Sequence, residues 1–240
     1  MSAAPEVAVF PAAEDLAAAA AARLLAALAA AQAARGTASV VLTGGRTGTA
    51  VLAAVRAAAS EVDWSAVDVY WGDERFLPAG DPERNETQAR AALLDHVPVD
   101  PARVHPMAPS DGVHGDDPDA AARAYAELLG PDPVFDVLLV GVGEEGHTLS
   151  VFPDSPAVRA TDPVVAVRDC PKPPPTRVSL SLPLARKARR AWLMTTGAAK
   201  AGPVAAAVGG ASEVDIPAAG VRGVEETVWF LDEDAAAELS

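Results

Sequence analysis

A mostly parallel α/β sheet with helices on both faces is the fold class that this sequence predicts, and three observations carry that expectation. Short apolar runs such as "SVVLT" at 39–43 and "FDVLLVG" at 135–141 lack the polar alternation of a half-solvated strand. Strands covered on both faces read this way. The runs alternate along the chain with stretches of helical character, the order that builds parallel strands with crossover helices. The length, 240 residues, suffices for one well-buried core, so a single domain over 1–240 accounts for it.

The elements follow in order. Residues 1–36 look apolar but have no basic leader, carry Glu14, Asp15 and Arg23, and rely on alanine, a weak driver of membrane insertion. This opening stretch is read as a soluble amphipathic helix with Leu16, Leu24, Leu25 and Leu28 toward the core, neither a signal nor a membrane span. A strand over 39–43 leads into a helix over 47–59. A second strand over 67–71 precedes a helix over 85–94, with Asn85 as its expected cap. The acidic stretch "MAPSDGVHGDDPDA" at 107–120 reads as a loop, 120–129 as a helix and 134–141 as a strand. The β character continues at 164–167, 177–182, 191–196 and 227–232. Between them "PKPPP" at 171–175 reads as an extended loop, because proline cannot pair within a central strand.

The net charge is -14, with 33 acidic residues against 19 Lys and Arg. Such a field repels polyphosphate, which argues against nonspecific nucleic-acid or anionic-membrane partners. An anionic ligand therefore needs a locally basic site. One cysteine, Cys170, excludes an intramolecular disulfide framework and fits a reduced, cytoplasmic setting. No H-x-x-x-H or H-E-x-x-H spacing suggests a metal, and nothing calls for a cofactor. Nothing marks a self-complementary surface, so a monomer is consistent with the sequence and the oligomeric state stays open.

In open parallel sheets ligands collect at the carboxyl ends of strands, so the loops just after strands matter most. Four places qualify. In "VLTGGRTGTAVL" at 41–52 a strand runs through Gly44, Gly45, Arg46 and Thr47 into a helix, whose free amides suit an anion. The stretch ends neither as a Walker loop nor as a dinucleotide fingerprint. In "VYWGDERFLP" a strand ends in Asp73, Glu74 and Arg75, either a catalytic carboxylate with a basic anchor or a solvated acidic turn. In "GVGEEGHTLSVFP" a glycine-rich turn presents His147, either a general base near neutral pH or an ordinary loop histidine. His96, His105 and His114 have no strand-end setting. The fourth is distributed: Arg177 opens a strand, and Lys200 lies at the start of a helix, where a point charge can meet an anion.

Taken together and in this order, "LTGGRTG", "WGDERFLP", "GVGEEGHTLSVFP", "RVSLSLP" and "TGAAKA" resemble the segments of the 6-phosphogluconolactonase family, over most of the chain. The resemblance implies a Rossmann-like sandwich shared with glucosamine-6-phosphate deaminases and ribose-5-phosphate isomerases, binding a sugar phosphate without a nucleotide. The implied reaction is hydrolysis of 6-phospho-D-glucono-1,5-lactone to 6-phosphogluconate in the pentose phosphate pathway. His147 would be the base, with Asp73 or Glu145 orienting it or positioning sugar hydroxyls. Gly44, Gly45, Arg46, Thr47 and Lys200 would cradle the phosphate, with Arg75 and Arg177 completing the positive patch. The sequence departs from the family's pattern at Arg46 and Gly48, where Ser and Pro are usual, and at Glu145, where Asp is common. Two other readings stay open. One is an amino-sugar phosphate isomerase-deaminase, whose Phe-Asn-Glu-Pro segment is replaced here by "VFPD". The other is a non-catalytic sugar-phosphate-binding protein, against which the retention of His147 beside Glu145 weighs.

Overall fold

The computed structural model describes residues 4–239; Met1, Ser2, Ala3 and Ser240 lie outside it, so both ends of the expected 1–240 domain fall outside the described residues. In chain order the strands are β1 (Glu6–Phe10), β2 (Ala38–Leu42), β3 (Val67–Trp71), β4 (Asp73–Arg75), β5 (Val104–His105), β6 (Val137–Gly141), β7 (Val164–Val167), β8 (Arg177–Leu180), β9 (Arg190–Thr195) and β10 (Glu226–Asp232). The helices are α1 (Ala13–Arg35), α2 (Gly45–Ala57), α3 (Asn85–Ala92), α4 (Pro118–Leu129), α5 (Leu182–Ala185), α6 (Ala201–Val208) and α7 (Glu233–Ala236).

Seven strands form one sheet in the order β1-β10-β9-β6-β2-β3-β5, and every pairing within it is parallel. The apolar runs are explained by its two covered faces. Val40, Leu42, Val137 and Leu139 turn to the core under α1, α2 and α3, while Val41, Leu138 and Val140 turn to the opposite core, which includes residues of α4 and α6. The period of two is intact, but both faces are apolar.

The chain steps outward from β2 through β3 to β5, then returns with β6 to the other side of β2. The loops leaving β2 and β6 therefore diverge around a crevice at their carboxyl ends, the place where an open α/β sheet offers a ligand room. The "TGGRTG" and "GVGEEGH" segments lie there.

α1 is apolar and long enough to cross a membrane by length and composition. Its Leu16, Leu24 and Leu28 are fully buried and Leu25 nearly so, in the core it shares with β2 and β10. The outer stripe is Ala18, Ala22, Ala26 and Ala30, so all four leucines of the helix face the core while alanine occupies both faces. The expectation of helix from the start of the chain is corrected at Glu6–Phe10. That segment is edge strand β1, parallel to β10, and α1 begins only at Ala13. Val7 and Val9 face solvent there, so the strand is defined by its pairing with β10 and not by burial of a regular stripe. His105, read as having no strand-end setting, in fact ends the short strand β5, with its Nε2 3.0 Å from Asp68.

The residues at 164–167 and 177–182 do not extend the main sheet. They supply β7 and β8 of a separate antiparallel sheet, β4-β8-β7, in which Asp73 pairs with Ser179 and Arg75 with Arg177. The chain passes from one sheet to the other at Gly72, whose amide donates to Leu42 O (2.9 Å) and whose carbonyl accepts from Leu180 N (2.8 Å). A Cβ at Gly72 would lie 2.6 Å from Leu149 Cδ2, so a larger residue there would have to push aside the Leu149 side chain, which belongs to the segment that carries His147. The small sheet thus leans over the carboxyl end of the large one.

Candidate active site

β2 ends at Leu42, and α2 begins at Gly45, two residues earlier than its pattern suggested, so Arg46 belongs to the helix's first turn. The N-cap, Gly44, has no side chain to satisfy the orphan amides there. Its missing Cβ is filled from outside: one built at Gly44 would lie 1.9 Å from Asn85 Oδ1. Asn85 does not cap α3, as its position had suggested. It is the first residue within the helix, Arg84 is the cap, and the buried amide donates to Asp73 O (2.8 Å) and approaches Asp73 Oδ1 (3.3 Å).

The capping task falls to Glu74. Its carboxylate accepts from the amides of Arg75 (2.8 Å), Asn85 (2.6 Å) and Glu86 (2.9 Å), and lies 3.7 Å from the guanidinium of Arg84, which is wholly buried. Burial pushes the Glu74 carboxyl up to about 7, while Arg84 and the three amides pull it back. The Asp73–Arg75 turn is therefore neither solvated nor a surface ion pair. Glu74 pins α3 to β4, and this sets Asp73 and Asn85 side by side. Asp73 Oδ2 accepts from Ser150 Oγ at 2.6 Å, which ties β4 to the segment after His147.

His147 follows Gly146, whose φ of +83° belongs to the left-handed region open to glycine. The imidazole packs on Phe152, ring centroids 4.4 Å apart, and lies so close over Gly143 that a Cβ there would sit 2.0 Å from Nδ1. Nδ1 is buried, 3.2 Å from Glu145 Oε2, without the alignment of a hydrogen bond. That leaves Nε2 as the nitrogen available to the cleft. Burial holds the imidazole below its ordinary value; Glu145 opposes this and Lys172 reinforces it. A neutral imidazole at neutral pH is the state a general base requires. Burial also works against ionisation of Glu145, but the Lys172 ammonium and its other partners outweigh it and hold the carboxyl low.

These loops enclose a cleft of about 330 Å³. Of the residues that the resemblance places in the site, all but Glu145, which stands behind His147, line it: Gly44, Gly45, Arg46, Thr47, Asp73, Arg75, His147, Arg177 and Lys200 all face the same space, while Glu74 is buried beneath it. Of the two carboxylates considered for orienting His147, Glu145 is the one beside Nδ1, while Asp73 is held by Ser150 and Asn85.

The cations do not stand equal. The Arg75 guanidinium donates to Glu83 O. Arg177 donates from Nε to Pro174 O and from Nη2 to Lys172 O and Pro173 O, each 3.1 Å, so the proline loop engages it. Arg46 and Lys200 have no acidic partner within ion-pair distance among the described residues. Burial, then the charges of Lys172 and Arg46, hold the Lys200 amine below its usual range, and all three cations line the same cleft as the first turn of α2. This concentration is how a chain of net charge -14 offers an anion a site.

Sequence reading missed three cleft residues or supports. Lys172 was passed over inside a loop defined by its prolines, Asn85 was taken for a cap, and Ser150 carried no signal of its own.

Comparison with known proteins adds to the geometry. A family model described as glucosamine-6-phosphate isomerases/6-phosphogluconolactonase matches residues 11–229. A Streptomyces coelicolor protein named 6-phosphogluconolactonase is 53% identical, with 100% of this chain and 96% of that protein covered. A Mycobacterium tuberculosis protein of the same name is 52% identical, with 96% and 97% covered. The solved structure of 6-phosphogluconolactonase from Trypanosoma brucei matches with a TM-score of 0.81 at 27% identity, over 98% of this chain and 99% of that one.

Proposed function

The chain belongs to the glucosamine-6-phosphate isomerase/6-phosphogluconolactonase family, and from that premise we propose that it hydrolyses 6-phospho-D-glucono-1,5-lactone to 6-phospho-D-gluconate, with His147 as general base. The supporting observation is one cleft that holds a half-buried imidazole, kept toward its neutral form by burial and backed by a carboxylate, together with a helix N-terminus ringed by cations.

In this reading the phosphate rests on the first-turn amides of α2 with Arg46 and Lys200, and Thr47, Arg75 and Arg177 line the approach. Anchoring the phosphate brings the lactone carbonyl to His147 and replaces a bimolecular encounter with a positioned one. A water loses its proton to Nε2 as its oxygen bonds to C1, and a tetrahedral oxyanion forms. Collapse breaks the bond from C1 to the ring oxygen, which takes the proton back from the imidazolium as the hydroxyl of the open acid. Glu145 beside Nδ1 steadies the imidazolium between the two steps. The setting assigned is the cytoplasm, with the chain acting as one domain over 1–240.

The isomerase-deaminase reading of the same family is weaker here, because residues 148–160 contain no glutamate to assist ring opening. A purely binding role would leave the imidazole without a task.

Adding the full-length protein to freshly generated lactone in a pH-stat should accelerate acid release above the uncatalysed rate; binding without turnover sinks the proposal. Arg46→Ala and Lys200→Ala should each raise KM about 10- to 100-fold, from roughly 1.5–3 kcal/mol per charged contact, with a smaller change in kcat. Steady-state kinetics at two salt concentrations checks this, since an unchanged KM would remove both residues from the phosphate site.

A further inference from the structure

One cation that lines the cleft, Lys172, has no part in the mechanism as written. Lys172 Nζ lies 2.9 Å from Glu145 Oε2, and the same oxygen lies 3.2 Å from His147 Nδ1. A single carboxylate oxygen therefore stands between an ammonium from one loop and an imidazole from another. The loop that delivers the ammonium is fixed. Arg177, buried in β8, takes the carbonyls of Lys172, Pro173 and Pro174 with one guanidinium, so the backbone at Lys172 is tied to the small sheet. The placement of Lys172 is thus built into the fold, although its side chain reaches solvent.

We propose that Lys172 is a positioning residue for His147: it clamps Glu145 against Nδ1 and so governs the orientation and charge state of the imidazole. The inference rests on the reading of His147 as the base. Three charged groups act on the ring: Glu145 from its own loop, Asp73 from β4 and Lys172 from the proline loop. The two carboxylates favour the imidazolium, and Lys172 alone among them favours the neutral ring. Without its ammonium, Glu145 is an uncompensated charge at ion-pair distance from Nδ1, and the imidazole should hold its proton to higher pH.

The test follows His147 directly and through turnover, in the full-length chain. The imidazole Cε1–H resonance of His147, assigned by its loss in His147→Gln, is titrated by NMR in wild type, Lys172→Met and Lys172→Arg, and kcat/KM is measured against pH for the same proteins. Lys172→Met should titrate at higher pH than wild type, its acid limb should move up in step, and Lys172→Arg should restore both. An unmoved titration in Lys172→Met overturns the proposal, as does a rise in KM alone, which would make Lys172 a substrate ligand instead. A titration that moves while the acid limb stays put supports the role of Lys172 and removes His147 as the base, so the two readings fail separately.

Discussion

His147→Ala is expected to lower kcat/KM for the lactone about 10²- to 10⁴-fold, the range a positioned general base contributes. The loss should fall on kcat. The groups assigned to the phosphate, Arg46, Lys200 and the first turn of α2, belong to other loops and keep their geometry when the ring is removed, so binding of 6-phosphogluconate should change only a few-fold. Folding should change little. The ring lies on Phe152, a contact worth about 1 kcal/mol, and the fixed points of its loop, Gly143, Gly146 and Thr148, are untouched. Wild-type kcat/KM should fall as pH drops through a value below 6.5, because burial holds the imidazole neutral below its ordinary range and protonation removes the base. The variant should lose this acid limb altogether. Retention of the wild-type rate by His147→Ala, after subtraction of spontaneous hydrolysis, would sink the mechanism and leave the family assignment standing.

How much of this was legible in the residues depends on where each signal lives. The parallel sheet could be read because Val40–Leu42 and Val137–Val140 are apolar on both faces, a local property that burial on two sides imposes. The cleft could be read because glycines and charged residues follow those strands directly, so each loop announces its own position at a carboxyl end. β1 escaped because "EVAVF" exposes two of its valines, and only the pairing with β10, more than two hundred residues away, makes it a strand. Asn85 escaped for a related reason. A helix-start asparagine looks like a cap, and that a distant glutamate had taken the task was visible only once β4 and α3 met. Lys172 and Arg177 show the same limit. The carboxylate that Lys172 meets comes from the loop after β6, and the carbonyls that Arg177 holds are brought to it by the fold of the proline loop, and neither contact is marked by residue type or spacing. Charge type and strand-end position were written locally; the division of labour among the cations was not.

Glu74→Ala is expected to cost about 3–5 kcal/mol of folding free energy, the usual penalty for removing one partner of a buried ion pair. The amides of Arg75, Asn85 and Glu86 lose their acceptor in a place water does not reach, and the buried Arg84 loses its nearest fully buried counter-charge. Arg84 keeps bonds to Met107 O and Leu77 O and its contact with Glu86, which should hold the effect near the lower end. Because the two residues act as a unit, Glu74→Ala/Arg84→Met should be less destabilised than the sum of the single variants. Urea unfolding of all three proteins measures this, and a cost below 1 kcal/mol for Glu74→Ala would remove Glu74 as the link between β4 and α3. The pH dependence has a definite sign. The folded carboxyl titrates at about 7 and the unfolded one near 4.5, so between these values the folded chain holds the extra proton. This group's contribution to stability is therefore greatest below pH 4.5, declines as pH rises through the window, and reaches its full cost above 7. Glu74→Gln cannot titrate, so wild type should lose ground to it steadily from pH 4.5 to 7; an equal slope for the two proteins would show that the carboxyl does not titrate in that window. Activity should follow structure in Glu74→Ala, since Asp73 and Asn85 reach the cleft only while β4 and α3 are held together.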